Sequence, residues 1–128
     1  MKLYTDSSLK ELCFVVLYKQ DKQICRKPHK KIITVNEGEY TALIEALISI
    51  PARYEPERLD VYSDSQLMVR QIMGDYKCKS KKLNPLKQQV WILARALQES
   101  GFLPVTFNWV PREDNLAGLV LENKEMFK

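Results

Sequence analysis

The stretch that most constrains the fold is Val61-Tyr62-Ser63-Asp64-Ser65-Gln66. An apolar run from Leu59 to Tyr62 stops at a carboxylate, and a helical pattern begins directly after it. Asp64 is therefore expected at the C-terminal end of a strand, just before a helix N-terminus. Ligands of open α/β sheets bind at that edge. The start of the chain repeats the device: Lys2-Leu3-Tyr4-Thr5 reads as a strand and ends at Asp6-Ser7-Ser8. Two strands that each end in Asp-Ser bring two carboxylates to one rim if the strands are neighbours.

The order of elements makes them neighbours. Residues 2 to 6 read as a first strand. Glu11 to Lys19 is a near-continuous apolar run, the pattern of a strand buried on both faces. Gln20-Asp21-Lys22 is a polar break of hairpin length, and Gln23 to Thr34 reads as a third strand in which Pro28 implies an edge or a bulge. Asn36 opens a helix in which Tyr40, Leu43, Ile44, Leu47 and Ile48 form an apolar stripe, and Pro51 is expected to end it. Residues 58 to 63 form a fourth strand. A short helix from Gln66 to Met73 closes at Gly74, and a lysine-rich connection follows. A long helix has Pro85 in its first turn and stops at Gly101. Residues 105 to 110 alternate as a fifth strand, and Asn115 caps a final helix running to the C-terminus. A meander followed by a right-handed crossover sets the first and fourth strands side by side. The expected fold is α/β: a five-stranded mixed sheet, three strands in an antiparallel meander plus two parallel strands, with helices on both faces.

At 128 residues the chain is expected to form one domain, residues 1–128. No apolar run approaches the roughly 20 residues that span a bilayer, so no membrane partner is expected. The N-terminus enters strand pattern at once and lacks a signal peptide's apolar segment. Three cysteines without CxxC spacing argue for a reducing, cytoplasmic setting and against zinc. A net charge of +4 is too small to name a partner by itself. No obligatory protein partner is evident.

A third acid, Glu39, falls in the first turn of the helix that packs over the central strands. Three carboxylates converging in a half-buried cleft repel one another, and a divalent cation relieves that repulsion. Hard oxygen ligands without His or Cys point to Mg²⁺ or Mn²⁺. Shared carboxylates can hold two such ions about 3.5–4 Å apart, the layout that clamps the attacking and leaving oxygens of a phosphodiester. Each acid also has a plainer reading. Asn36-x-x-Glu39 fits a capping box, Asp64 an N-cap, and Asp6 a turn residue. Glu37, Glu45 and Asp60 are expected to be solvated.

Four stretches together resemble the type 1 ribonuclease H family: Leu3-Tyr4-Thr5-Asp6-Ser7-Ser8, Asn36-Glu37-Gly38-Glu39-Tyr40-Thr41-Ala42-Leu43, Tyr62-Ser63-Asp64-Ser65-Gln66-Leu67 and Trp109-Val110-Pro111-Arg112-Glu113-Asp114-Asn115. The resemblance implies endonucleolytic hydrolysis of the RNA strand of an RNA–DNA hybrid, with two Mg²⁺ or Mn²⁺ ions, leaving 5′-phosphate and 3′-hydroxyl ends. It assigns Asp6, Glu39 and Asp64 to metal ligation, with Asp6 bridging. The family carries a fourth acid in the first turn of the last helix, a few residues past the asparagine matched by Asn115. Here that stretch is Leu116-Ala117-Gly118-Leu119, which has no side-chain oxygen. Asn115, Asp114 and Glu122 are the candidate stand-ins, with Asn115 favoured as a catalytic and metal-binding residue. The family's loop histidine is also missing, and Arg112 or Glu113 lies in its place. His29 is expected to be exposed and inert.

The resemblance further implies that Thr34 and Asn84 hold a DNA-strand phosphate. Asn36, Ser65 and Gln66 would touch the minor groove, where 2′-hydroxyls distinguish RNA from DNA. Val35 departs from the family's usual Asn. Lys77, Lys79, Lys81 and Lys82 could track the backbone electrostatically. The missing acid keeps open a weak or inactive hybrid-binding module of the same fold. Another nuclease on this fold, such as a junction resolvase, and a purely structural domain are more distant alternatives.

Overall fold

The computed structural model describes residues 1–31 and 33–122. The elements are β1 (Lys2–Ser7), β2 (Glu11–Tyr18), β3 (Asp21–Pro28), α1 (Val35–Arg53), β4 (Leu59–Ser63), α2 (Gln66–Met73), α3 (Leu83–Glu99), β5 (Val105–Trp109) and α4 (Leu116–Glu122). A 3₁₀ turn over Arg112–Asp114 precedes α4. The sheet order is β3-β2-β1-β4-β5. The β1–β2 and β2–β3 pairs are antiparallel, and the β1–β4 and β4–β5 pairs are parallel. This is the expected mixed sheet of the ribonuclease H-like fold, with β1 and β4 adjacent at its centre.

Alternation along β2 explains why helices cover both faces. Leu12, Phe14 and Val16 join the large core under α1 and α3, with Leu3 of β1 and Leu59 and Val61 of β4. Cys13 and Val15 face the other way and pack with Ala117 and Val120 of α4. A run with no polar break is what a strand sandwiched between two helical layers requires. On α1, Tyr40, Leu43, Ile44, Leu47 and Ile50 are buried against the sheet. Truncating one such residue, for example Leu47→Ala, should cost about 2–5 kcal/mol.

Several boundaries differ from the sequence expectations. Ile48 is 54% exposed, because a helix turning 3.6 residues per turn carries it off the stripe. Pro51 does not end α1, which continues to Arg53 with Pro51 in its last turn. There the missing N–H costs a single hydrogen bond, and the Tyr54 N–H still reaches the Ile50 carbonyl at 3.1 Å. The hairpin turn is Lys19-Gln20, since Tyr18 pairs with Asp21. Lys19 adopts φ 56°, as two-residue hairpin turns demand. Strand β3 stops at Pro28 instead of Thr34, because its partner β2 begins at Glu11, opposite Pro28. Ile33 lies beyond the strand, and Ile32 falls outside the described residues. The final helix is described to Glu122, so its expected run to the C-terminus lies partly outside the described residues.

Asp60 and Glu45, expected to be solvated, are engaged. Asp60 accepts from Thr106 Oγ1 at 2.6 Å and from Arg58 Nε at 3.0 Å. Glu45 lies 3.6 Å from Lys27 Nζ. No described helix is long and apolar enough to cross a membrane.

Candidate active site

Three elements deliver the acids to one rim. Asp6 is the next-to-last residue of β1, Asp64 follows the last residue of β4, and Glu39 sits in the second turn of α1. Parallel pairing of Thr5 with Ser63 puts the two strand ends level. Carboxylate oxygens of Asp6, Glu39 and Asp64 come within 4.8 Å of one another, and they are the candidate metal-binding group among the described residues. Asp6 is 3% exposed and Glu39 6%.

Local capping explains why Glu39 is free to face the rim. The capping box of α1 uses Thr34 and Glu37, not Asn36 and Glu39. Thr34 Oγ1 accepts from the Glu37 N–H at 3.2 Å, and the Glu37 carboxylate accepts from the Thr34 N–H at 3.3 Å. Asp64 is likewise not the cap of α2. That role belongs to Ser65, whose hydroxyl accepts from the Met68 N–H at 3.3 Å. The plainer readings of Glu39 and Asp64 therefore fall to neighbouring residues.

The electrostatics are those of a cation site. Burial, the Asp6 carboxyl and the Asp64 carboxylate push the Glu39 carboxyl up to about 9. Burial, and then Asp64, raise the Asp6 carboxyl above its usual range. Glu39 Oε2 is buried without a hydrogen-bond partner. A buried polar atom left without a partner costs about 1–3 kcal/mol. An all-oxygen donor set with an orphaned carboxylate oxygen fits a hard divalent cation.

Asn115 is completely buried, and the structure gives it a double task. Its amide oxygen accepts from the Ala117 N–H at 3.2 Å, which caps α4. Its amide nitrogen donates to the Thr5 carbonyl at 2.9 Å and to Asp64 Oδ1 at 3.2 Å. The nitrogen, not the oxygen, thus faces the acids. Of the other stand-ins, Asp114 is exposed outside the cluster, and Glu122 is paired with Arg112 Nε.

Two further residues shape the surroundings of the acids. Arg112 lines the site together with Asp6, Ser7, Val35, Asn36, Glu39, Asp64 and Ser65, and its Nη1 lies 3.8 Å from Asp64 Oδ2. Of the two residues that stand where the family's loop histidine would be, it is Arg112 that reaches the acids. Gly118 packs against Asp6: a Cβ there would stand 3.1 Å from Asp6 Oδ2. His29, expected to be exposed and inert, is half-buried, and its Nε2 lies 2.8 Å from Ser7 Oγ. Among the expected substrate contacts, Asn36 and Ser65 line the site, Gln66 is exposed at the start of α2, and Asn84 is half-buried in the first turn of α3.

Comparison with known proteins points the same way. Residues 14–121 match the family described as reverse transcriptase-like. RNase H1 from the halophilic archaeon Halobacterium salinarum superposes with a TM-score of 0.73 at 22% identity, covering 95% of this chain and 97% of that one. The N-terminal RNase H domain of a Mycobacterium tuberculosis protein gives 0.73 at 24% identity, covering 98% and 91%. LC11 RNase H1, solved in complex with an RNA/DNA hybrid, gives 0.67 at 24% identity, covering 90% and 88%. A rim of three acids on a β3-β2-β1-β4-β5 sheet, together with a family match over most of its length, places this chain in the reverse transcriptase-like family with a ribonuclease H-like fold.

Proposed function

We propose that this protein is a divalent-metal-dependent endonuclease that hydrolyses the RNA strand of RNA–DNA hybrids, leaving 5′-phosphate and 3′-hydroxyl ends. The observation that carries the reading is the meeting of Asp6, Glu39 and Asp64 within 4.8 Å at a strand-end rim, with one Glu39 oxygen left unpartnered. These three residues would hold Mg²⁺ or Mn²⁺. When bound, such ions neutralise the acids, make a water nucleophilic near neutral pH and stabilise the leaving oxygen.

The chain's own groups orient the site. Asn115 fixes the Asp64 carboxylate through its amide N–H. To serve as a ligand itself, its oxygen would have to release the Ala117 N–H. Arg112 stands at the mouth, where its guanidinium can meet a phosphate while Glu122 steadies it. Thr34 and Ser65 accept backbone N–H bonds as helix caps but keep their hydroxyl hydrogens free. Thr34 can still donate to a DNA-strand phosphate, and Asn84, in the first turn of α3, would supply the second contact. Ser65, with Asn36 and Gln66, can still meet the minor groove. The hybrid-bound state of LC11 RNase H1, which shares this fold, supports the substrate class. Three unpaired cysteines fit a cytoplasmic setting.

A second reading is favoured by one observation: the first turn of α4 offers no acid, so the centre lacks a ligand and the chain would bind hybrids without cutting them. The test is an end-labelled 20-mer hybrid incubated with Mg²⁺, Mn²⁺ or EDTA. Duplex DNA and duplex RNA serve as controls. Cleavage of the RNA strand that requires metal, with ligatable 5′-phosphate products, is expected. Retention of the hybrid without cleavage in either metal would establish the binding module instead. Cutting of duplex DNA but not hybrid would overturn both.

A further inference from the structure

The end of β1 is held by a contact that the proposed chemistry does not use. Ser7 follows Asp6, and its hydroxyl donates to the Ser8 carbonyl at 2.9 Å. Its lone pair is therefore available to the ring of His29, whose Nε2 lies 2.8 Å from Ser7 Oγ and 3.1 Å from the Ser8 carbonyl. That network assigns the hydrogen to Nε2, which both the neutral tautomer and the imidazolium can supply. His29 is itself anchored, because its N–H bonds to the Lys10 carbonyl at 2.9 Å. From the other side, α1 presses on the same hydroxyl. A Cβ at Gly38 would stand 2.4 Å from Ser7 Oγ, so any side chain there would force the Ser7 hydroxyl to move. Ser7 is joined in the chain to Asp6 and packs against Gly38, the residue before Glu39, and its backbone N–H favours the charged form of both carboxyls. One amide thus serves two of the three acids, and its residue is gripped by a side chain from the end of β3 and by the close approach of α1.

We propose that His29 is a positioning residue for the acid cluster: through Ser7 it fixes the amide that aims Asp6 and Glu39 at a shared cation. The proposal rests on the metal-binding reading above. Partners that orient metal ligands from behind commonly change metal affinity by about 10–100-fold when removed. His29→Ala should therefore weaken Mn²⁺ binding about tenfold, and His29→Gln, which keeps a donor at the Nε2 position, should restore it to within about threefold.

The experiment is calorimetric titration of Mn²⁺ into the parent chain, His29→Ala, His29→Gln and Gly38→Ala, together with melting curves in EDTA. Gly38→Ala raises helix propensity yet crowds Ser7 Oγ, so it should bind Mn²⁺ more weakly even though its helix is the better former. Should His29→Ala fail to fold, Gly38→Ala still probes the same clamp from the α1 side. Weakened binding in His29→Ala and Gly38→Ala, recovery in His29→Gln, and unchanged metal-free melting for the His29 variants would support the clamp. Parent-like binding by His29→Ala, or equal weakening by Ala and Gln, would overturn it while leaving the metal centre intact. A folded parent that takes up no Mn²⁺ would overturn the clamp and the metal centre together.

Discussion

Helix α1 reaches the acid cluster with a cap of its own, whereas α4 reaches it with the buried amide of Asn115. At α1, Thr34 and Glu37 satisfy each other's backbone N–H groups, which leaves Glu39 one turn in with nothing to do but face the rim. At α4, capping and site contact fall on a single residue: Asn115 holds Ala117 with its oxygen and Asp64 with its nitrogen. The first helix separates capping from charge and can offer a carboxylate. The second merges them and offers none. The lesson is that a helix N-terminus contributes a ligand only when something else closes its orphan N–H groups.

This contrast is most exposed to test at the acids. Glu39→Gln or Asp64→Asn should lower the hybrid cleavage rate by about 10³-fold, near 4 kcal/mol of transition-state stabilisation. Single-turnover kinetics in saturating Mg²⁺ would show it, and near-parent rates would mean that α1 supplies no ligand. The next test supplies what α4 lacks. Leu119 lies four residues past Asn115, on the same helix face, so Leu119→Asp should tighten Mn²⁺ binding and raise kcat by about tenfold or more. A slower, folded variant would show that Asn115 had already taken over that position. Removing the merged role with Asn115→Ala should reduce both stability, by about 1–2 kcal/mol, and cleavage, because the cap and the hold on Asp64 go together. Denaturant melts and kinetics on one preparation separate those two losses.

Proton linkage adds a further difference between the two helices. Glu39 is pushed from its ordinary 4.5 up to about 9 in the folded chain. Between those values the folded state holds a proton that the unfolded state has released. The contribution is therefore fully present below about pH 4.5 and is lost as pH rises through 9. Metal-free melting temperatures should fall over that range, with a slope from this group of at most about 1.4 kcal/mol per pH unit. Glu39→Gln should flatten the fall, and Mn²⁺ should offset it with release of protons on binding. The smallest effect belongs to the separated cap: Thr34→Ala should cost about 1 kcal/mol in stability and leave Mn²⁺ affinity unchanged. A matching loss of affinity would show that α1, too, couples its cap to the site.

Much of this was written in local pattern. Strand runs that end in Asp-Ser, the 3.6-residue stripe of α1 and the glycines after α2 and α3 are short-range signals, and they gave the element order and three acids. Residue-level partners were another matter. Which of Thr34, Asn36, Glu37 and Glu39 form the cap depends on where the first turn begins, and a shift of a single position exchanges every role. The end of β3 depended on where β2 ran out, which no property of residues 23 to 34 records.

By itself, the amino-acid order determined that two strands would stop at carboxylates and that a crossover would make those strands adjacent, because periodicity and chain handedness are properties of neighbours along the chain. Tertiary structure decided what surrounds those carboxylates: the Arg112 guanidinium, the Asn115 amide, Gly118 pressed against Asp6, and the His29 ring behind Ser7. Such contacts span the chain: Asn115 reaches Thr5, 110 positions away. Their distances follow from how α1 and α4 pack on opposite faces of one sheet, a result of the whole core that no local stretch contains.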